Sequence, residues 1–200
     1  IALVAETRDE AITFMRKISD AVFAQDLEDN FMHRGWLARW TVQIPRYIDW
    51  QIEHAQSWRV LAAEVRADAV ALTDKITLTG RLDRVDQGEH GVCIIDYKTG
   101  AIPRAEMVSS GEAIQLPFYA LLVDAPVARV EYLSLDRNNF GTKVPLEGEE
   151  LLGLSRDVGA RLRVIMEEIR QQTPLPAWGD TETCRKCSFD GICRRQMWVE

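Results

Sequence analysis

Apolar positions recur at helical spacing near the start of the chain. From about Glu6 to Gln25, residues Ala11, Ile12, Met15, Ile18, Val22 and Phe23 form one stripe, which predicts a helix. A second helical stretch spans roughly Phe31 to Trp58, and Pro45 inside it predicts a break or kink. It carries Trp36, Trp40, Trp50 and Trp58, large aromatics of the kind that pack a helical layer onto a sheet.

The periodicity then changes. Arg59–Leu72 and Lys75–Asp86 read as strands, the second alternating Ile76 and Leu78 with Thr77 and Thr79. Gly88 to Gly91 is a turn, and Val92–Tyr97 is a short, apolar, β-branched strand ended by Thr99-Gly100. Glu112 to Val123 reads as a helix with Pro117 near its first turn. Ala128–Leu135 reads as a buried strand, and Glu147 to Gln172 as a long amphipathic helix with Leu151, Leu152, Leu154, Val158, Leu162, Ile165 and Ile169 on one side. From Thr173, with Pro174 and Pro176, a loop-like tail leads to the cysteines. The order predicts an α/β core with a mixed sheet rather than a doubly wound one.

Composition narrows the class. With 200 residues, 46% hydrophobic and 28% charged, the chain has apolar material for a real core. No apolar run approaches the roughly 20 residues of a membrane-spanning helix, so no membrane partner is expected. The chain begins at Ile1 with no signal-like segment, and it is expected to be a fragment of a larger protein. Its four cysteines do not make a disulfide scaffold, and Cys184, Cys187 and Cys193 crowd together as ligands would in a reducing cytosol. Twenty-four basic against 31 acidic residues leave a net charge of −7, which does not advertise a polyanion partner.

The chemistry concentrates in Gly80-Arg81-Leu82-Asp83-Arg84-Val85-Asp86 and Ile94-Ile95-Asp96-Tyr97-Lys98-Thr99-Gly100. If the Gly88–Gly91 turn pairs the two strands, Asp83 and Asp96 converge on one cation. Mg²⁺ takes hard oxygen ligands, usually one or two carboxylates plus waters. Lys98 shares a strand face with Asp96, where an ammonium can orient water or stabilise developing charge. Tyr97 points the other way and leaves its backbone carbonyl as a further ligand. Gln115 and Tyr119 are four apart on a helix and share a face, placed to contact substrate or support the metal site.

Gly-x-x-Asp-Arg-x-Asp, then Ile-Asp-Tyr-Lys-Thr-Gly, then Gln-x-x-x-Tyr resembles the PD-(D/E)XK nucleases of the RecB type. Within them the likeness is to the C-terminal nuclease domain of AddB-like double-strand-break repair helicase–nucleases. The motifs cover about residues 58–123. The resemblance implies a restriction-endonuclease-like core, with a mixed sheet flanked by helices, an N-terminal helical layer and a cysteine-bearing tail. It implies that Asp83 and Asp96 bind Mg²⁺ or Mn²⁺, with the Tyr97 carbonyl, and that Lys98 is the catalytic lysine. It places Gln115, Tyr119 and Arg84 toward the substrate and matches Glu64 to a glutamate that often precedes the first motif. The family also places a metal-binding histidine upstream of the first aspartate. Here the upstream histidines are His33 and His54, neither in the family's context.

Cys184-x2-Cys187-x5-Cys193 resembles the iron–sulfur tail of such nucleases, where a [4Fe–4S] cluster takes a further thiolate from far upstream. Cys93, the remaining cysteine, reads as a strand core residue. A cluster therefore requires a fourth cysteine upstream of this chain.

These readings predict a single nuclease domain over 1–200: a helical layer 1–58, a catalytic core 59–146, a long helix 147–172 and a cysteine tail 173–200. Its expected work is Mg²⁺-dependent hydrolysis of DNA phosphodiesters in double-strand-break repair and recombination, with DNA and a helicase as partners, in the bacterial cytoplasm at the nucleoid. The alternative is a DNA-binding or scaffolding domain of the same fold without a working site. On a DNA enzyme the tryptophans gain a second reading, as base-stacking platforms. The charge also resolves locally. Between Arg81 and Arg104 four basic residues offset four acidic ones, and Arg185, Lys186, Arg194 and Arg195 outweigh Asp190.

Overall fold

The alternation in the middle of the chain folds into a five-stranded sheet in the order β1-β2-β3-β4-β5. Its strands are β1 (Arg59–Thr73), β2 (Ile76–Gln87), β3 (Val92–Lys98), β4 (Val127–Ser134) and β5 (Gly141–Glu147). β1 to β3 form an antiparallel meander, β3 and β4 run parallel, and β5 returns antiparallel. The sheet is therefore mixed, and with its helices it gives the α/β, restriction-endonuclease-like architecture expected. This computed structural model describes residues 3–24, 31–174, 179 and 184–193. The expectations that touch Gln25, Pro176, Arg194 and Arg195 lie outside them.

β3 is central, and five consecutive residues from Val92 to Asp96 are buried. A strand covered on both faces reads as a continuous apolar run rather than an alternating one. The turn into it depends on Gly91, at φ +144° with its carbonyl accepting from the Gly88 amide at 2.9 Å. A Cβ there would lie 2.3 Å from the Pro126 carbonyl oxygen, so only glycine fits.

Helices α1 (Arg8–Ala24) and α2 (Phe31–His54) make the N-terminal layer. Ala11 and Ile12 pack against Ile44 and Ile48, with Trp40 and Tyr47 at the margin. The break expected at Pro45 does not occur, and α2 runs through it. Proline there removes one backbone hydrogen bond, at about 3 kcal/mol. The full burial of its neighbours Ile44 and Ile48 offsets that loss, each side chain giving about 1.5–3 kcal/mol. Trp50 and Trp58 pack on Cys93, Ile95 and Leu133, joining the layer to the sheet.

Two further differences stand out. The expected helix at 112–123 is shorter, α4 (Gln115–Ala120), and a further short helix, α3 (Ala105–Ser109), lies ahead of it. Pro117 is the third residue of α4, in the first turn, where a missing N–H matters least. Strand β5 was not anticipated, because as an edge strand it buries only Leu146 and contains Pro145.

The chain divides into two compact units, residues 1–159 and 160–200, the division falling inside α5 (Gly148–Arg170). In the first unit α5 buries Leu151, Ser155, Val158 and Gly159. In the second, Val164, Ile165, Met166 and Ile169 are exposed, and a short helical turn covers Asp190–Cys193. No described helix is long and apolar enough to cross a membrane.

Candidate active site

The β2–β3 ladder pairs Arg84 with Ile95, which sets Asp83 and Asp96 opposite one another at its end. There the Asp83 carboxylate takes over from the ladder, its Oδ2 accepting the Tyr97 amide at 2.9 Å. Asp96 and Lys98 project from the same face of β3 onto α4, while Cys93, Ile95 and Tyr97 face α2.

On the α4 face Gln115 is a cross-brace. Its amide nitrogen donates to Asp96 Oδ1 at 2.8 Å and to the Tyr119 hydroxyl at 2.9 Å, and its carbonyl accepts from Lys98 Nζ at 2.8 Å. Lys98 Nζ also lies 2.7 Å from Asp96 Oδ2, an ionic contact off the hydrogen-bonding direction, and sits 5.2 Å above the Tyr132 ring. Burial pushes the Asp96 carboxyl up from its ordinary range; Lys98 opposes that, and the negative charge of Asp83 adds to it. Burial likewise raises the Tyr119 and Tyr132 phenols, Tyr132 to about 12. A second positive charge beside these carboxylates would relieve the strain on Asp96. Two hard oxygens, one lacking a well-aligned hydrogen bond, suit a small divalent cation.

The opposite face holds a second polar set. Arg84 was expected at the substrate, but it is 4% exposed and faces α2. Its guanidinium donates to Asp86 from Nε at 2.8 Å and Nη2 at 2.7 Å, to Gln51 at 2.6 Å and to the Tyr97 hydroxyl at 3.2 Å. It also lies 5.5 Å from the centre of the Trp50 ring. His54 Nε2 sits 2.8 Å from Asp86 Oδ2. Burial works against the Asp86 charge, yet the hydrogen bonds from His54 and Arg84 prevail and hold its carboxyl below the usual range.

The expected residues therefore separate. Asp83, Asp96, Lys98, Gln115 and Tyr119 come together, with the Tyr97 backbone at their edge. Glu64, on a left-handed turn of β1 at φ 54°, pairs with Arg81 at 2.6 Å, and both are largely exposed. His33 stacks on Trp36. Among the described residues no three His, Cys, Asp or Glu side chains gather as a metal group, so Cys184, Cys187 and Cys193 do not meet as cluster ligands. Cys93 is fully buried in the sheet core. Sequence reasoning missed Tyr132, two residues after Val130 on the Lys98 side of β4. It also missed Tyr47 and Gln51, which share a helical face with His54.

The sequence model of the PD-(D/E)XK nuclease superfamily matches residues 3–194. The chain belongs to that superfamily. Nuclease chemistry is what membership suggests, and divalent metals are its usual cofactors. Thirteen solved chains match this PD-(D/E)XK protein, among them the crystal structure of SSO0001. That likeness has 15% identity and a TM-score of 0.39, over 84% of this chain and 79% of the other. No curated protein matches it.

Proposed function

We propose that this PD-(D/E)XK protein is a metal-dependent deoxyribonuclease that hydrolyses DNA phosphodiesters. On this reading it is a RecB-type nuclease of the AddB-like kind, acting in double-strand-break repair beside a helicase in the bacterial cytoplasm. The supporting observation is the convergence of Asp83, Asp96 and Lys98 at the end of one antiparallel pair, with Gln115 bracing the last two. The carboxylates of Asp83 and Asp96, with the Tyr97 carbonyl, would hold Mg²⁺ or Mn²⁺. Such a cation supplies charge neutralisation at a phosphate oxygen and acidifies nearby water.

The chain's own residues do the rest. Gln115 fixes the Lys98 ammonium on the carboxylate side of the sheet. From there it orients the attacking water and meets the charge that grows on the phosphate. Tyr119 holds the other hydrogen of the Gln115 amide, so the brace cannot rotate away. A [4Fe–4S] cluster does not fit the described cysteines, and no step runs through one.

The test is Mg²⁺- or Mn²⁺-dependent degradation of a fluorescent oligodeoxynucleotide. Asp96→Ala should lose about 10³-fold in rate, the equivalent of several kcal/mol of metal-borne stabilisation. Calorimetric titration with Mn²⁺ should show binding to the parent and none to Asp83→Ala. Cleavage by Asp96→Ala at the parent rate would sink the assignment, and an inert parent that still binds DNA would favour the scaffolding role.

A further inference from the structure

Beyond the carboxylates, a cleft of about 700 Å³ opens past the carboxyl ends of β3 and β4, on the α2 side of the sheet. Crevices outside the carboxyl ends of parallel strands are where α/β sheets commonly take ligands. Trp36, Arg39 and Gln43 line it from α2, and Thr99, Asp136 and Arg137 from the segments that leave the two strands.

Three features set the chemistry of its occupant. Trp36 is 46% exposed and stacked on His33, with ring centres 4.8 Å apart, a braced aromatic platform that a planar group can cover. Gln43 is 2% exposed, yet neither its amide nitrogen nor its oxygen has a hydrogen-bond partner among the described residues. A buried amide left unpaired is unfavourable; both its polar atoms are shut from solvent, so a turn of the side chain toward the cleft lets an occupant that offers an acceptor and a donor remove that penalty. Arg39 and Arg137 are exposed without an ion pair among the described residues, while the Asp136 carboxylate is engaged by the Asn138 amide at 2.9 Å. The segment carrying Arg137 is itself fastened, since Arg46 on α2 donates to the Arg137 carbonyl at 2.7 Å.

A planar group with a mixed donor–acceptor edge and anionic flanks describes a nucleotide. We propose that this cleft holds one unpaired base of single-stranded DNA, stacked on Trp36 with its edge on the Gln43 amide and its flanking phosphates on Arg39 and Arg137. A paired base offers neither its face nor its pairing edge, so the cleft selects single strands over duplex. On its pairing edge every base sets a donor beside an acceptor, so the Gln43 amide can meet that edge without choosing among bases. Thr99 follows Lys98 directly, so the cleft begins three residues from Asp96, about 10 Å along the strand at ~3.3 Å per residue. A strand bound there passes over the end of the sheet toward the carboxylates. The inference deepens the nuclease reading and rests on it for the role of that path.

The test uses the full chain with 5′-fluorescein dA12, by fluorescence anisotropy in EDTA so that no cleavage occurs. Trp36→Ala should weaken binding about 5- to 100-fold, the usual range for loss of one stacked base. Gln43→Leu should weaken it at least about fivefold while leaving the melting temperature of the free protein unchanged or higher, because an unpaired buried amide is gone. An abasic 12-mer should bind the parent no better than dA12 binds Trp36→Ala, and the matching duplex should bind weakly. Binding of dA12 by both variants within twofold of the parent would overturn the proposal. So would equal binding of dA12 and its abasic counterpart, tighter binding of duplex, or tighter binding of the matching oligoribonucleotide. Hydrolysis of bis(p-nitrophenyl) phosphate by the parent in Mn²⁺ tests the nuclease reading separately, since that diester has no base. If it fails while the EDTA titrations succeed, the cleft stands and the nuclease does not.

Discussion

The two faces of the β2–β3 pair carry similar residue types in opposite states. Toward α2, Arg84, Asp86, His54, Gln51 and the Tyr97 hydroxyl form a closed set in which the guanidinium is spent on protein partners. Toward α4, Asp96, Lys98 and Gln115 are tied to one another, yet Asp96 Oδ2 and the Tyr132 hydroxyl lack a hydrogen bond among the described residues. A buried charge with every bond filled has nothing left to offer a ligand. One with an oxygen held only by a misaligned ion pair can still take a further cation. Burial is similar, for Asp86 is fully buried and Asp96 2% exposed, so it is the completeness of the bonding that distinguishes them.

Arg84→Met breaks the closed face most directly. It leaves Asp86 buried with His54 alone, and unfolding in urea should show a loss of about 3–5 kcal/mol. Next, His54→Leu keeps the Arg84 fork on Asp86 and should cost about 1–3 kcal/mol, with cleavage measured on the folded variant close to the parent rate. Acid titration sharpens the contrast further. The folded Asp86 carboxyl lies below its unfolded value near 3.9, so its contribution is present above that pH and is lost as pH falls through the folded value. Asp86→Asn should therefore flatten the acid limb of stability against pH, and an unchanged limb would show that other carboxylates dominate it. Smallest of all is the stability effect of Asp96→Asn, expected within about 1 kcal/mol of the parent by thermal melting. A severe loss there would mean that the α4 face is structural as well.

Much of this contrast was legible in the sequence, because strand alternation is a strong signal. Asp83, Asp96 and Lys98 fall on one face of paired strands by period alone, and the Gly88–Gly91 turn sets the register. The same alternation puts Arg84 on the other face, so its burial was readable from Asp83's position. What hid it was its place inside a motif that draws the eye to the substrate. Pro45 does not end α2 because local propensity is weaker than the burial of Ile44 and Ile48. β5 was illegible for the opposite reason: an edge strand with one buried residue leaves almost no pattern. Gln43 gives no sign in sequence, since a glutamine on a helix reads as exposed until the packing around it is known.

The bond from the Tyr97 amide to the Asp83 carboxylate gives the protein a built-in reporter. That amide proton sits on the sheet backbone yet points at an oxygen that the proposed cation would use. Any pull on the carboxylate lengthens the bond, and the amide's chemical shift and its deuterium exchange rate should follow. Titrating a diamagnetic divalent ion while watching this single resonance would read occupancy of Asp83 without DNA, turnover or a label.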